Sequence, residues 1–355
     1  MVEPIGVGIN GGGRIGILTY KALQPYIEQG IIKVIAINEI DKNATPQSIA
    51  RYILRDSVHR LSQLKVEYNN STSQIIVNGR GVDILKENTP ANLQWKNRGV
   101  KIVIEATGAF TSANGEKGGY MDHVYKADAE YVVISAPVSD DIAKTVVLGV
   151  NYSKELLKDY KALSNASCTT NDLAPIVKVL HERFGIVAGD MITIHSYTND
   201  QKLVDAYHKD PRRARAAALN VIPTTTGASK AIGLIFPELK GKISENAIAY
   251  RVPVPDGSVV DFNVKLAKEV TPQEVNNELK KAAESLEGIL AFTMEPIVSQ
   301  DIVGDTHSST VDGLLTAPAS EGRIKVVSWY DNEWGYSNRT AELTKEIAEF
   351  LKLLN

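Results

Sequence analysis

Residues 5–16 constrain this chain more than any other stretch. Ile5, Val7 and Ile9 alternate with Gly6 and Gly8, and the chain then reaches Asn10-Gly11-Gly12-Gly13-Arg14-Ile15-Gly16. The alternation reads as a strand, the glycines as a tight turn, and the residues beyond as the start of a helix. Gly11, Gly13 and Gly16 fit G-x-G-x-x-G, whose glycines permit the turn, close approach of backbone to a pyrophosphate, and close helix–strand packing. A glycine-rich turn alone carries little meaning, but a second strand at 31–37 ends at Asn38-Glu39. An acid there accepts the ribose hydroxyls of an adenosine and repels the 2′-phosphate of NADP, so the expected cofactor is NAD.

Further apolar runs at 101–107, 131–136 and 145–150 are expected strands, separated by helical or irregular stretches. Alternating β and α of this kind makes a Rossmann-type, doubly wound parallel sheet, and Gly108 and Ser135 fall where strand ends meet a cofactor. Pro25 breaks or restarts the first helix. Past Cys168 the periodicity changes. Residues 252–254 and 259–266 read as strands joined through Pro255-Asp256-Gly257 as an antiparallel pair, and 324–329 as another strand. Thr271, Pro272 and Glu274 open a helix over 271–286, and 340–354 forms a last helix with Leu343, Ile347, Phe350, Leu351 and Leu354 on one face. The fold class is α/β, with an α+β catalytic domain built on a mainly antiparallel sheet.

The 355 residues suffice for two domains, and 39 basic residues against 42 acidic ones point to neither nucleic acid nor an anionic membrane. One cysteine excludes an intrachain disulfide and a multi-thiolate metal site, and no metal is expected. The start, Met1-Val2-Glu3-Pro4, lacks a basic, apolar leader pattern, so a cytoplasmic location is expected.

That single cysteine lies in Ser164-Asn165-Ala166-Ser167-Cys168-Thr169-Thr170-Asn171-Asp172. Its neighbours are capping residues rather than core residues, and an apolar run at helical period follows, which places Cys168 at a helix N-terminus. Free N–H groups and the helix dipole there favour a thiolate. Asp172, one turn on, opposes it. His195 ends the strand-like Met191-Ile192-Thr193-Ile194-His195 and is a candidate base, although a surface histidine has the same pattern.

Together with residues 10–16, 164–171, 212–217, 223–227 and 329–337, the runs His195-Ser196-Tyr197-Thr198-Asn199-Asp200-Gln201 and Arg251-Val252-Pro253 carry a resemblance. The chain resembles the phosphorylating glyceraldehyde-3-phosphate dehydrogenase family along nearly its whole length. The resemblance implies that the Cys168 thiolate attacks an aldehyde to form a thiohemiacetal and then a thioester, with His195 as base. It implies a substrate-phosphate site at Thr198 and Arg251 and an attacking-phosphate site at Ser167, Arg213, Thr226 and Gly227. Thr169 completes the substrate- and phosphate-binding set. The implied cofactor residues are Asn10, Gly11, Gly13, Arg14, Ile15, Gly16, Glu39 and Ser135, with Asn332 for the nicotinamide carboxamide and Tyr336 beside it. A cofactor domain of 1–167 and 332–355, a catalytic domain of 168–331, and a homotetramer are also implied. Gly12 departs from the family's usual Phe, Glu39 from Asp, Asn88 from Arg, Tyr207 from Pro and Asp172 from a second Cys. Erythrose-4-phosphate dehydrogenase is the nearest sister activity, and a catalytically silent dinucleotide-binding or adhesion protein is the alternative from another class.

Overall fold

A computed structural model of the chain describes residues 3–354; Met1 and Val2, where the leader pattern was sought, and Asn355 lie outside them. The chain divides into one unit of Met1–Val146, Tyr152–Ala166 and Ser337–Asn355, and a second of Val147–Asn151 and Ser167–Tyr336.

The strands of the first unit are β1 (Ile5–Asn10), β2 (Ile32–Asn38), the ribbon β3 (Arg55–Asp56) and β4 (Arg60–Leu61), β5 (Val66–Asn69), β6 (Gln74–Val77), β7 (Arg80–Leu85), β8 (Ile102–Glu105), β9 (Tyr131–Ile134), β10 (Lys144–Thr145) and β11 (Ala162–Ser164). All but the ribbon form one sheet in the order β10-β11-β9-β8-β1-β2-β7-β6-β5. Its pairings are parallel from β10 through β7, and only β7–β6 and β6–β5 are antiparallel. The crossovers carry α1 (Arg14–Ala22), α2 (Gln24–Glu28), α3 (Pro46–Leu54), α4 (Asp122–Tyr125) and α5 (Leu156–Asp159). Pro25 does restart the first helix, sitting in the opening turn of α2 where a missing N–H costs nothing. Expected strand 145–150 shrinks to Lys144–Thr145, because the Asn151 side chain captures the Val147 N–H at 2.7 Å and Gly149 turns the chain with φ 75°. The antiparallel strands β5 to β7 and the short β11 were not foreseen.

The second unit's sheet consists of β12 (Ile186–Ser196), β13 (Ile222–Thr225), β14 (Ile248–Val252), β15 (Ser258–Leu266), β16 (Leu290–Thr293), β17 (Ser309–Asp312), β18 (Ala317–Ala319) and β19 (Arg323–Tyr330). The order is β13-β14-β12-β15-β19-β17-β16, with β18 on β19. The hairpin expected through Pro255-Asp256-Gly257 does not form. β12 lies between its two arms, parallel to β14 and antiparallel to β15. The first arm also ends at Val252, where a tight turn bonds the Val254 N–H to the Val252 carbonyl at 2.7 Å and carries the chain away from its own neighbour.

Helices α6 (Cys168–Phe184), α7 (Ala228–Ile235) and α8 (Pro272–Ser285) cover this sheet, α6 lying on β15, β17 and β19. α8 begins as expected, with Thr271 and Glu274 bonding each other's backbone in a reciprocal cap. The last helix, α9 (Trp334–Leu353), starts earlier than its apolar stripe indicated, because Asp331 accepts the Glu333 and Trp334 N–H groups. Leu343, Ile347, Phe350 and Leu351 are buried, whereas Leu354 is exposed beyond the helix end. Among the described residues no helix is long and apolar enough to cross a membrane.

Candidate active site

In the first unit the strand–turn–helix opening builds one wall of a cleft of ≈ 710 Å³. Gly11 has φ 109°, and a Cβ on Gly16 would sit 1.9 Å from the Gly11 carbonyl oxygen, so helix α1 can start this close to β1 only without those side chains. Among the described residues nothing lies within 4 Å of the Cβ direction of Gly13, and no side chain caps α1. Open space at an uncapped helix N-terminus fits a pyrophosphate. Asn10, Gly11, Gly13 and Glu39 all line the cleft, as do Asn88 and the unforeseen Thr107, Phe110 and Lys117.

Glu39 ends its reach inside that wall, its Oε2 accepting the Gly12 N–H at 2.9 Å and its Oε1 the Asp41 N–H at 3.0 Å. A Cβ on Gly12 would approach Glu39 Cβ to 3.0 Å, so the missing side chain makes room for the longer acid. Arg14 turns its guanidinium to Asp56 at 3.1 and 3.3 Å. Arg14, Ile15, Gly16 and Ser135 do not line the cleft, and the Ser135 N–H is bonded to the Glu105 carbonyl at 2.9 Å. Asn332 and Tyr336 belong to the second unit; both are buried, and Asn332 Oδ1 accepts from Ser258 at 2.6 Å.

Cys168 is the first residue of α6, and the Ser167 hydroxyl caps that helix by accepting the Thr170 N–H at 3.1 Å. Just before it Ala166 has φ 52°, a left-handed conformation rare for a residue with a Cβ. The Cys168 Sγ lies 3.5 Å from His195 Nε2, at the end of β12. His195 Nδ1 is 2.7 Å from the Ser196 carbonyl and 2.8 Å from Arg251 Nη1, which itself donates to that carbonyl at 3.1 Å.

The expected thiolate is not the resting state. Burial pushes the Cys168 thiol up to about 11, against the lowering pull of Arg251 and of the Thr169 N–H and hydroxyl. Although Cys168 keeps partial exposure, the desolvated surroundings of its sulfur outweigh the helix terminus. Burial and then the Arg251 charge push His195 down to about 3. Thiol and imidazole are therefore both neutral.

Asp256 also acts against the thiolate, after the larger influences of burial, Arg251 and Thr169. Asp172 is fully buried, accepts from the Ser328 hydroxyl at 2.8 Å, and is raised by that burial to about 7.

Thr169 turns inward, its hydroxyl 2.9 Å from Tyr330, which also meets Thr193 at 2.9 Å. Thr198 is held through its N–H to Gln201 at 3.2 Å. The Arg213 guanidinium is bound to Asp200, which His208 also contacts at 3.2 Å. Thr226 caps the Ala228 N–H at 3.3 Å, and exposed Gly227 precedes α7. Arg213 nevertheless stands close enough to bear on both His195 and Arg251. The site thus combines a nucleophile, a base and two guanidinium groups.

The family model for the glyceraldehyde 3-phosphate dehydrogenase NAD-binding domain matches residues 5–113, and that for the C-terminal domain of the same enzyme matches residues 167–332. The glyceraldehyde-3-phosphate dehydrogenase of Borreliella burgdorferi is 50% identical over 97% of this chain and 99% of its own length. That of Geobacillus stearothermophilus is 49% identical over 96% and 98%, and glyceraldehyde-3-phosphate dehydrogenase 1 of Bacillus subtilis 46% identical over 97% and 98%.

Proposed function

Because the chain belongs to the glyceraldehyde-3-phosphate dehydrogenase family, we propose that it oxidises D-glyceraldehyde 3-phosphate to 1,3-bisphosphoglycerate, using NAD and inorganic phosphate. The observation that carries this reading is the 3.5 Å approach of Cys168 Sγ to His195 Nε2 at the start of α6. Sγ gives up its proton and attacks the aldehyde carbon, and the carbonyl oxygen takes up a proton in exchange, giving a thiohemiacetal. His195 Nε2 then removes that hydroxyl proton as hydride leaves the same carbon, so a thioester remains on Cys168. NAD, when bound, supplies the hydride acceptor. An oxygen of inorganic phosphate attacks the thioester carbon, the C–S bond breaks, and Cys168 leaves as the acyl phosphate forms.

Arg251 decides which nitrogen of His195 carries the proton. A guanidinium only donates and a carbonyl only accepts, so the two contacts at Nδ1 require opposite tautomers. When Arg251 turns to the substrate phosphate, Nδ1–H donates to Ser196 and leaves the Nε2 lone pair facing Sγ. Thr198 joins Arg251 in that site, and Ser167, Thr169, Arg213, Thr226 and Gly227 serve the thioester and the attacking phosphate. The open turn at Gly13, with Asn10 and Gly11, holds the pyrophosphate, the backbone of Arg14 and Ile15 opens the helix that faces it, and Gly16 lets that helix pack close to β1. Glu39 takes the ribose, and Ser135, Asn332 and Tyr336 serve the nicotinamide half. The two contact units support a cofactor domain that takes in the last helix and a catalytic domain that starts next to Cys168, but residues 147–151 and 332–336 pack with the catalytic unit, so the boundary expected at 332 moves to 337. Exposed Leu203, Val204, Tyr207 and Leu219 support a homotetramer, and the enzyme works in the cytoplasm.

The test is NAD reduction with glyceraldehyde 3-phosphate and with erythrose 4-phosphate, each with and without phosphate or arsenate. Sustained turnover with the first sugar only when the anion is present is expected. Sustained turnover in phosphate-free buffer, or preference for erythrose 4-phosphate, overturns the proposal.

A further inference from the structure

Behind the cleft of the first unit runs a line of buried polar groups of which the proposed reaction uses only Asn10. Trp95, His123 and Glu105 are at most 2% exposed, and Asn10 and Asn38 at most 3%. Trp95 Nε1 donates to His123 Nδ1 at 2.9 Å, and His123 Nε2 lies 3.0 Å from Glu105 Oε2. The Asn10 side-chain amide donates to the same Oε2 at 2.5 Å, while Glu105 Oε1 accepts from the Thr107 N–H at 2.8 Å and from its hydroxyl. Asn38 Nδ2 then donates to Asn10 Oδ1 at 2.7 Å and to the Glu87 carbonyl at 2.9 Å, and the Glu87 N–H returns to Asn38 Oδ1 at 2.8 Å.

Each step dictates the next. An indole nitrogen can only donate, so His123 Nδ1 must accept and the imidazole proton sits on Nε2. That proton goes to Glu105, whose carboxylate is then filled by four donors. Glu105 in turn requires Asn10 to face it with nitrogen, leaving Asn10 oxygen for Asn38. The other tautomer would set an indole N–H against an imidazole N–H and an imidazole lone pair against a carboxylate. In a buried setting either mismatch is costly.

We propose that His123, with Glu105 and Trp95, is a positioning residue for dinucleotide binding. It fixes the amides of Asn10 and Asn38 and the backbone at Thr107, three residues that line the cleft. None of the three proposed residues lines it, so the effect is indirect. The inference rests on the reading of this cleft as the NAD site.

The experiment measures NAD binding calorimetrically for the wild type, His123→Leu and His123→Gln, together with the KM of each substrate. Leucine removes the donor, whereas the glutamine amide can place N–H where Nε2 was. About tenfold weaker NAD binding, ~1.4 kcal/mol, is expected for His123→Leu, with the sugar-phosphate KM unmoved and most of the affinity retained by His123→Gln. A folded His123→Leu that binds NAD like the wild type overturns the proposal. So does a His123→Gln as weak as the leucine variant, which would make ring volume the cause. Should His123→Leu not fold, the histidine 15N spectrum of the wild type decides: a protonated Nε2 supports the relay, and a protonated Nδ1 refutes it. Failure of the wild type to bind NAD would count against the cleft assignment instead.

Discussion

Replacing Arg251 with methionine separates two opposed effects of one charge. Arg251 Nη1 is 2.8 Å from His195 Nδ1, and Sγ is 3.5 Å from Nε2 on the far side of the same ring. The guanidinium is thus within about 8 Å of the sulfur, and at an effective dielectric of about 20 it stabilises a thiolate by ~2 kcal/mol. It also disfavours an imidazolium, being still nearer to the ring. With burial raising the thiol to about 11 and lowering the imidazole to about 3, proton transfer from Cys168 to His195 is uphill, and alkylation reads the small thiolate fraction in equilibrium with solvent. Arg251 then acts mainly on the sulfur. Arg251→Met should raise the thiol pKa by about one unit after solvent screening and slow alkylation at pH 8 by roughly tenfold. Iodoacetamide inactivation followed from pH 6 to 10 is the assay, since a neutral reagent feels no direct steering by Arg251. An unchanged or faster rate would show that depression of His195 is the dominant effect and refute the reasoning.

Asp256→Asn should speed the same alkylation a few-fold, because Asp256 opposes the thiolate, while Asp172→Asn should leave it nearly unchanged; equal acceleration by both would reject that assignment. Asp172 has a folded pKa of about 7, above its unfolded value, so its contribution to stability is fully present in acid and lost as pH rises toward 7. Asp172→Asn should therefore lose less melting temperature between pH 5 and pH 8 than the wild type, and parallel Tm profiles would contradict this. Arg213→Ala should slow steady-state turnover more than the single-turnover hydride burst in stopped flow; equal losses would place Arg213 before the thioester. NAD should be preferred to NADP by at least about tenfold, ~1.4 kcal/mol, and Gly12→Ala should erode that preference by displacing Glu39. Unaltered kinetics for Gly12→Ala would remove the link between the two residues.

The features legible in the residues alone are those that neighbours along the chain decide among themselves. The glycine turn of residues 10–16, the restart at Pro25, the reciprocal cap of Thr271 and Glu274 and the helix start at Cys168 all depend on backbone geometry within a turn or two. Capping and steric rules are legible at that range. The placing of β12 between the arms of the expected hairpin was not, because Ile186–Ser196 must be brought in from more than fifty residues away to compete for the pairing. The protonation of the site was equally hidden. A helix N-terminus argues for a thiolate at Cys168, and only the assembled unit shows that burial outweighs it and that Arg251 stands against His195. The same is true of Asp172, legible as a charge in a first turn but raised to about 7 by the depth at which α6 packs on β19. Trp95, Glu105 and His123 have no motif in common, and only tertiary packing brings Trp95 in its loop and His123 on α4 into one hydrogen-bonded line with Glu105 at the end of β8. Desolvation and long-range pairing belong to the folded whole, so charge states and relays were left for the tertiary structure to decide.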